Sequence, residues 1–189
     1  MAKVFLDAGA HDGCSARHFR KEYDKESEYF IYSFEADPYF SKYFGDLDKQ
    51  VFINCAVWVE DGELSFYKSS AALRDGGTLV KSKRTGMLDK DHPAKVTAID
   101  FSKWVKDNLS KDDYIILKMD IEGAEYSVLP KMFTDGSFAY VDELWIEWHY
   151  KKINLPKSEH DVVASQIKIP TKPWCALKWC VLRGDKNAK

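Results

Sequence analysis

Apolar residues fall along this chain in short runs that alternate with stretches of helical spacing. Val4, Phe5 and Leu6 read as a buried strand entering Asp7-Ala8-Gly9-Ala10-His11-Asp12-Gly13, where Gly9 and Gly13 allow close backbone approach. Ser15 to Tyr23 then sets Phe19 and Tyr23 four residues apart, on one face of an expected helix. Tyr29 to Phe34 predicts a second strand ending at Glu35-Ala36-Asp37-Pro38, with Pro38 placed to open a helix that carries Tyr39, Phe40, Tyr43, Phe44 and Leu47. Val51 to Trp58 predicts a third strand. After the Asp61-Gly62 turn, Glu63 to Tyr67 alternates and predicts an antiparallel addition.

Lys68 to Ala94 has weak periodicity, scattered charge and three glycines, so it reads as a long surface excursion with a short strand at Thr78 to Val80. A strand is expected at Lys95 to Ile99, followed by a helix through Leu109 capped by Asp100 or Ser102. Tyr114 to Met119 is almost continuously apolar, the pattern of a strand buried on both faces, and it ends at Asp120-Ile121-Glu122-Gly123-Ala124-Glu125. A helix through Tyr126 and Leu129 should end or kink at Pro130, and Glu143 to Trp148 gives a strand closing on His149. Later come a helix at Glu159 to Ile167, a break at Pro170 to Pro173, an alternating strand at Ala176 to Leu182 and a fraying tail from Gly184. This alternation predicts a single α/β domain over residues 1–189: a Rossmann-like, mostly parallel twisted sheet with helices on both faces and an antiparallel C-terminal strand.

Composition narrows the partners. Lys+Arg 28 against Asp+Glu 30 gives a formal charge of -2, so no global basic field draws the chain to nucleic acid or an anionic membrane. No apolar run approaches the ~20 residues that span a bilayer. Met1 runs directly into the first strand without a basic segment or apolar leader, so a soluble, cytoplasmic protein is expected. Cys14, Cys55, Cys175 and Cys180 form no CxxC pair and have no histidines at zinc spacing, and free thiols are expected, with Cys175 and Cys180 as the one candidate pair for a bridge.

In such a sheet, ligands sit at the carboxyl ends of the strands where the strand order reverses, and the polar residues of interest end strands: Asp7, Glu35, Ala56, Asp120 and His149. Glu35 lies 22 positions beyond Gly13, near the offset at which a carboxylate accepts the two hydroxyls of an adenosine ribose. No phosphate fingerprint of the G-x-G-x-x-G or P-loop type is present, and the turn instead sets Asp7 and Asp12 beside its glycines. Carboxylates suit an ammonium and a sulfonium better than a pyrophosphate, so S-adenosyl-L-methionine fits.

Phe5 to Ser15, Tyr32 to Pro38, Asn54 to Trp58 and Leu117-Lys118-Met119-Asp120-Ile121-Glu122-Gly123-Ala124-Glu125-Tyr126 together resemble the FkbM-type S-adenosylmethionine-dependent methyltransferases. The likeness runs over roughly Val4 to His149, and Lys-x-Asp-x-Glu-Gly-x-Glu is its most specific part. It implies a class I methyltransferase fold and O-methylation of a hydroxyl on a carbohydrate or secondary metabolite. It implies that Asp7, Gly9 and Gly13 line the methionine part of the cofactor, Glu35 the ribose, and Ala56 and Val57 the adenine edge, with Ala10, His11, Ser15 and Ala36 also among the cofactor contacts. Ala36 stands where the family often has proline, and no lid from an N-terminal extension is expected.

Asp120 is best placed to reach the methyl-transfer centre and is expected among the cofactor contacts. Lys118, costly in a strand unless paired, would hold it. His149 and Asp120 are the candidate bases, because an unperturbed imidazole titrates near ~6.5. Glu122, Glu125 and His149 are expected near the acceptor, and Glu122 or Glu125 should cap the helix. Asp120, Glu122 and His149 have the donor types of a divalent-cation site, but helix-start electrostatics accounts for the acids and no metal is expected. Arg74, Lys81, Lys83 and Arg84 read as a solvated loop, or as a surface for an acidic glycan or carrier. Two further functions fit the residues: an NAD-dependent oxidoreductase, and an inert binding module on the cofactor fold. A small-molecule or glycan acceptor is the expected partner; its identity and the oligomeric state are not encoded in the spacing.

Overall fold

The computed structural model describes residues 1–174. Six strands form the main sheet in the order β3-β2-β1-β7-β8-β9: β1 Lys3–Ala8, β2 Phe30–Phe34, β3 Gln50–Ile53, β7 Tyr114–Met119, β8 Glu143–Ile146 and β9 Thr171–Pro173. Every neighbouring pair is parallel. From β1 the chain builds outward to β2 and β3 on one side, and β7, β8 and β9 fill the other. The order therefore reverses beside β1, and a crevice opens between the carboxyl ends of β1 and β7.

Helices cover both faces, as the alternation requires. Phe5, Ile31, Ile116 and Trp145 pack against Phe19 of α1 (Cys14–Glu22), with Phe5 and Phe19 stacked at 4.1 Å between centroids. The opposite face is larger: Leu6, Phe34, Ile115 and Leu117 meet Phe101 and Val105 of α2 (Phe101–Asn108) and Val128, Leu129 and Met132 of α3 (Glu125–Thr134). Asp100 caps α2 by accepting from the Lys103 amide. A fourth helix, α4, covers Lys157–Ser165.

Several boundaries differ from expectation. The anticipated third strand is two. After β3 the chain leaves the sheet at Asn54, whose side-chain amide donates to the Glu35 carbonyl, and resumes as β4 (Ala56–Trp58) in a second sheet ordered β4-β6-β5. There β5 (Gly62–Phe66) is antiparallel to β6 (Ala94–Asp100), so the antiparallel addition belongs to this small sheet. Pro38–Tyr43 is a short 3-10 helix that does not continue to Leu47. Pro130 sits inside α3, which runs on to Thr134. Thr78 makes a single bridge to Tyr67 instead of a strand. The expected break before Trp174 contains β9; the antiparallel strand expected at Ala176 to Leu182 lies outside the described residues. Cys14 is disulfide-bonded, which corrects the expectation of free thiols there, whereas Cys55 is a free, buried thiol pushed up to about 12 by burial and the nearby Glu35 charge.

Candidate active site

The turn after β1 is fixed by crowding. Gly9 has φ +80°, and a Cβ there would lie 1.9 Å from the Asp120 carbonyl oxygen, so only glycine lets the ends of β1 and β7 approach. The Asp120 amide donates to the Ala8 carbonyl and the Gly9 and Ala10 amides to the Phe34 carbonyl, which ties three strand ends together. Gly13, at φ +75°, begins α1, and Asp12 accepts from the Cys14 amide.

Strand register explains Lys118. It is paired with Asp7 across the β1–β7 ladder and both point to the α1 face, where the ammonium lies 3.2 Å from Asp7 Oδ1 and donates to the Gly9 carbonyl at 2.7 Å. Burial opposes its charge, but Asp7 and Asp120 outweigh burial and hold its pKa above the ordinary value. Asp7 also accepts from the Ser15 hydroxyl. Asp7 is wholly buried one layer behind the turn and secures the turn's underside, while Ser15, Ala10 and His11 reach the cavity.

That cavity has a volume of about 700 Å³, within the range of small-molecule sites. Glu35 lies on one wall. Its two oxygens accept from the amides of His11 and Asp37, both at 2.8 Å, and burial still raises its pKa above the usual carboxylate range. Ala36, Ala56 and Val57 continue that wall, and Lys118, Asp120 and Glu122 form the other end. The sequence places these groups in one space across more than a hundred residues. Gly13 is not on the lining, and neither are Glu125 and His149.

His149 is fully buried behind Asp120 and Glu122. Its Nδ1 lies 2.7 Å from Glu125 Oε1, and Glu125 also accepts from the amides of Ile121 and Gly123, so Glu125 is the residue that organises the helix start. Nε2 faces Glu122, Glu147 and Asp120 at 3.4, 3.5 and 3.6 Å without a hydrogen bond. Burial works against charge on this ring, yet Glu125, Glu147 and Glu122 carry its pKa up to about 10. The near-neutral imidazole anticipated from an unperturbed value is thus absent. Burial also lifts Asp120 to about 6 against Lys118 and His149, and Glu147, despite burial, is brought down to about 2 by His149 and Lys152. Asp120 is the candidate base that stands on the cavity wall.

Lys81 and Arg84 of the excursion are exposed, as expected of a solvated loop, but Lys83 and Arg74 are not. Lys83 is 1% exposed; its ammonium lies 2.9 Å from Glu122 Oε2 and donates to the Gly76 carbonyl. Thr78 donates to the Glu122 carbonyl, and Arg74 pairs with Asp37 at 2.7 Å and lies over the Tyr39 ring. Leu73 to Leu79 consequently roof the cavity. Tyr39, Phe40 and Trp174 also line it, and nothing in their local spacing marked them.

A family model described as a methyltransferase FkbM domain matches residues 7–163. No curated protein and no solved structure matches the chain. With the parallel sheet, the glycine turn and the crevice beside β1, this match shows that the chain belongs to the FkbM methyltransferase family.

Proposed function

We propose that the protein is an S-adenosylmethionine-dependent O-methyltransferase acting on a hydroxyl of a small molecule or glycan. The observation that carries this reading is the single cavity running from Glu35 and Val57, past the Gly9–Asp12 turn, to Asp120. Its fixed groups fit such a cofactor. Glu35 retains lone pairs for a ribose diol, Ala56 and Val57 offer an apolar edge for adenine, and Asp12 and Asp120 supply anionic surface for an ammonium and a sulfonium. The basic groups on the wall, Arg74 and Lys118, are already paired with Asp37 and Asp7, which leaves little to hold a pyrophosphate.

The bound cofactor supplies an activated methyl group and its own leaving group. The protein contributes alignment and exclusion of water. Lys118 fixes the turn through the Gly9 carbonyl, the excursion roofs the site through Lys83, and Asp120 stands where an acceptor hydroxyl would enter. With the cofactor held there, its activated methyl group would be available to an acceptor oxygen, and Asp120 would take the hydroxyl proton.

Calorimetric titration with S-adenosylhomocysteine tests the reading: micromolar binding is expected, and no binding at millimolar ligand by folded protein would overturn it. NADH quenching of tryptophan emission serves as the control for the oxidoreductase alternative. Labelled methyl transfer to a panel of sugars and hydroxylated metabolites would then identify the acceptor. No helix among the described residues is long and apolar enough to cross a membrane. We place the protein in the cytoplasm, where the cofactor is made; a Cys14 disulfide persisting in protein isolated from cells would count against that placement.

A further inference from the structure

We infer that Asp120, Glu122 and His149 form a binding site for a divalent transition cation at the inner end of the cavity. One ligand atom from each residue lies within 4.8 Å of the others. Two ligands held ~2.1 Å from a metal at tetrahedral or octahedral angles are separated by about 3.0–3.5 Å. The separation of 3.4 Å from Nε2 to Glu122 falls in that range and that of 3.6 Å to Asp120 lies 0.1 Å beyond it, and both exceed an ordinary hydrogen bond.

Acidic residues at a helix start are common, so the inference depends on the histidine. His149 is 0% exposed and its Nε2, a buried nitrogen with no hydrogen-bond partner, points into the three carboxylates. Its other nitrogen is held by Glu125 Oε1 at 2.7 Å. This carboxylate–histidine pairing is the arrangement that orients an imidazole and raises its basicity as a metal ligand. Glu147 Oε1, 3.5 Å from Nε2, offers a further oxygen.

Charge points the same way. The carboxylates of Asp7, Asp120, Glu122, Glu125 and Glu147 share this region with the ammonium groups of Lys83, Lys118 and Lys152. In the metal-free site the protonated imidazole offsets one of the two negative charges left over; an ion that displaces its proton meets both, the charge of one divalent ion. A mixed nitrogen and oxygen set favours Mn²⁺, Fe²⁺ or Zn²⁺ over Mg²⁺ and Ca²⁺, which prefer oxygen alone. Because Asp120 and Glu122 lie on the cavity wall, the ion completes its shell with water or with acceptor oxygens. That last role rests on the methyltransferase reading; the site itself does not.

The test is a titration of EDTA-stripped, full-length protein with Mn²⁺, followed by the loss of the free-ion EPR signal, with Zn²⁺ competition. One ion per chain is expected, with micromolar affinity. Glu122→Gln and His149→Asn should each weaken binding at least tenfold, and Glu125→Gln, which leaves all three ligands in place, should weaken it 10–100-fold. Circular dichroism checks that each variant folds; if His149→Asn fails, Glu122→Gln at the cavity wall carries the comparison. Protein that binds S-adenosylhomocysteine but takes up no Mn²⁺ or Zn²⁺ at millimolar concentration would overturn the cation site alone. Uptake unchanged in Glu122→Gln and Glu125→Gln would overturn it too. Metal uptake without S-adenosylhomocysteine binding would leave the site standing and remove the methyltransferase reading.

Discussion

The space that a side chain at Gly9 would need is already occupied by the main chain of Asp120, whose carbonyl oxygen lies 1.9 Å from an ideal Cβ. Backbone cannot swing aside as a flexible side chain can. Gly9→Ala should therefore separate the ends of β1 and β7, cost about 2–4 kcal/mol of stability, and abolish S-adenosylhomocysteine binding even where the domain still folds. Urea denaturation and calorimetry on the same preparation measure both effects.

Glu35 accepts two backbone amides and faces the cavity. Removing it leaves the His11 and Asp37 amides unpartnered and removes the ribose acceptor. Glu35→Ala is expected to lower S-adenosylhomocysteine affinity at least tenfold, an effect of about 1.4–3 kcal/mol. An unchanged dissociation constant would remove Glu35 from the ribose role.

The pair of Lys118 and Asp7 has almost no contact with water, with side chains 2% and 0% exposed. Lys118→Met strands a buried carboxylate and should cost about 3–5 kcal/mol. Adding Asp7→Asn removes the stranded charge. The double variant should consequently be more stable than Lys118→Met alone, and a double-mutant cycle of denaturation midpoints reads the coupling.

Lys83 fastens the roof of the cavity to Glu122. Lys83→Met retains the buried methylenes but loses both the ion pair and the bond to the Gly76 carbonyl. Limited proteolysis with trypsin should then cut faster within residues 68–94, at Arg74, Lys81 or Arg84, and S-adenosylhomocysteine should slow the cutting. Equal cleavage rates in wild type and variant would show that Lys83 does not hold the roof.

His149 sets a pH dependence in metal-free protein. Its folded pKa, raised to about 10 by Glu125, Glu147 and Glu122, exceeds the ordinary value near 6.5. The stabilisation is thus complete below about 6.5 and disappears as pH rises through 10. In EDTA, urea midpoints of the wild type should fall between pH 7 and 10 more steeply than those of His149→Asn. Asp120, which faces the same ring, remains in both proteins.

The parallel sheet was readable because its strands are written locally: Val4 to Leu6 and Tyr114 to Met119 are apolar runs, each ending in glycine or acid. Glu35 was readable for the same reason, as a carboxylate at a strand end at a fixed distance from a turn. Lys83 was not. It is one of several basic residues in a loop without periodicity, and its partner Glu122 lies on another element, so burial and pairing arise only in the tertiary fold. His149 shows the same limit in a titration: its neighbours Glu122, Glu125 and Glu147 come from the loop after β7, from α3 and from the end of β8, and no local window contains that field. The split of β3 from β4 turned on a single side chain, Asn54, that bonds back to Glu35.

Because β1 is the middle strand of the sheet, the order of synthesis runs against the order of assembly. Lys3 leaves the ribosome long before its partner across the ladder, Tyr114, and Met119, opposite Ala8, follows later still. Until β7 has been made, the apolar strand β1 has only β2 to lie against. A nascent chain of this kind carries an exposed edge through most of its translation, and a premature stop before Tyr114 leaves a product with no central sheet to close.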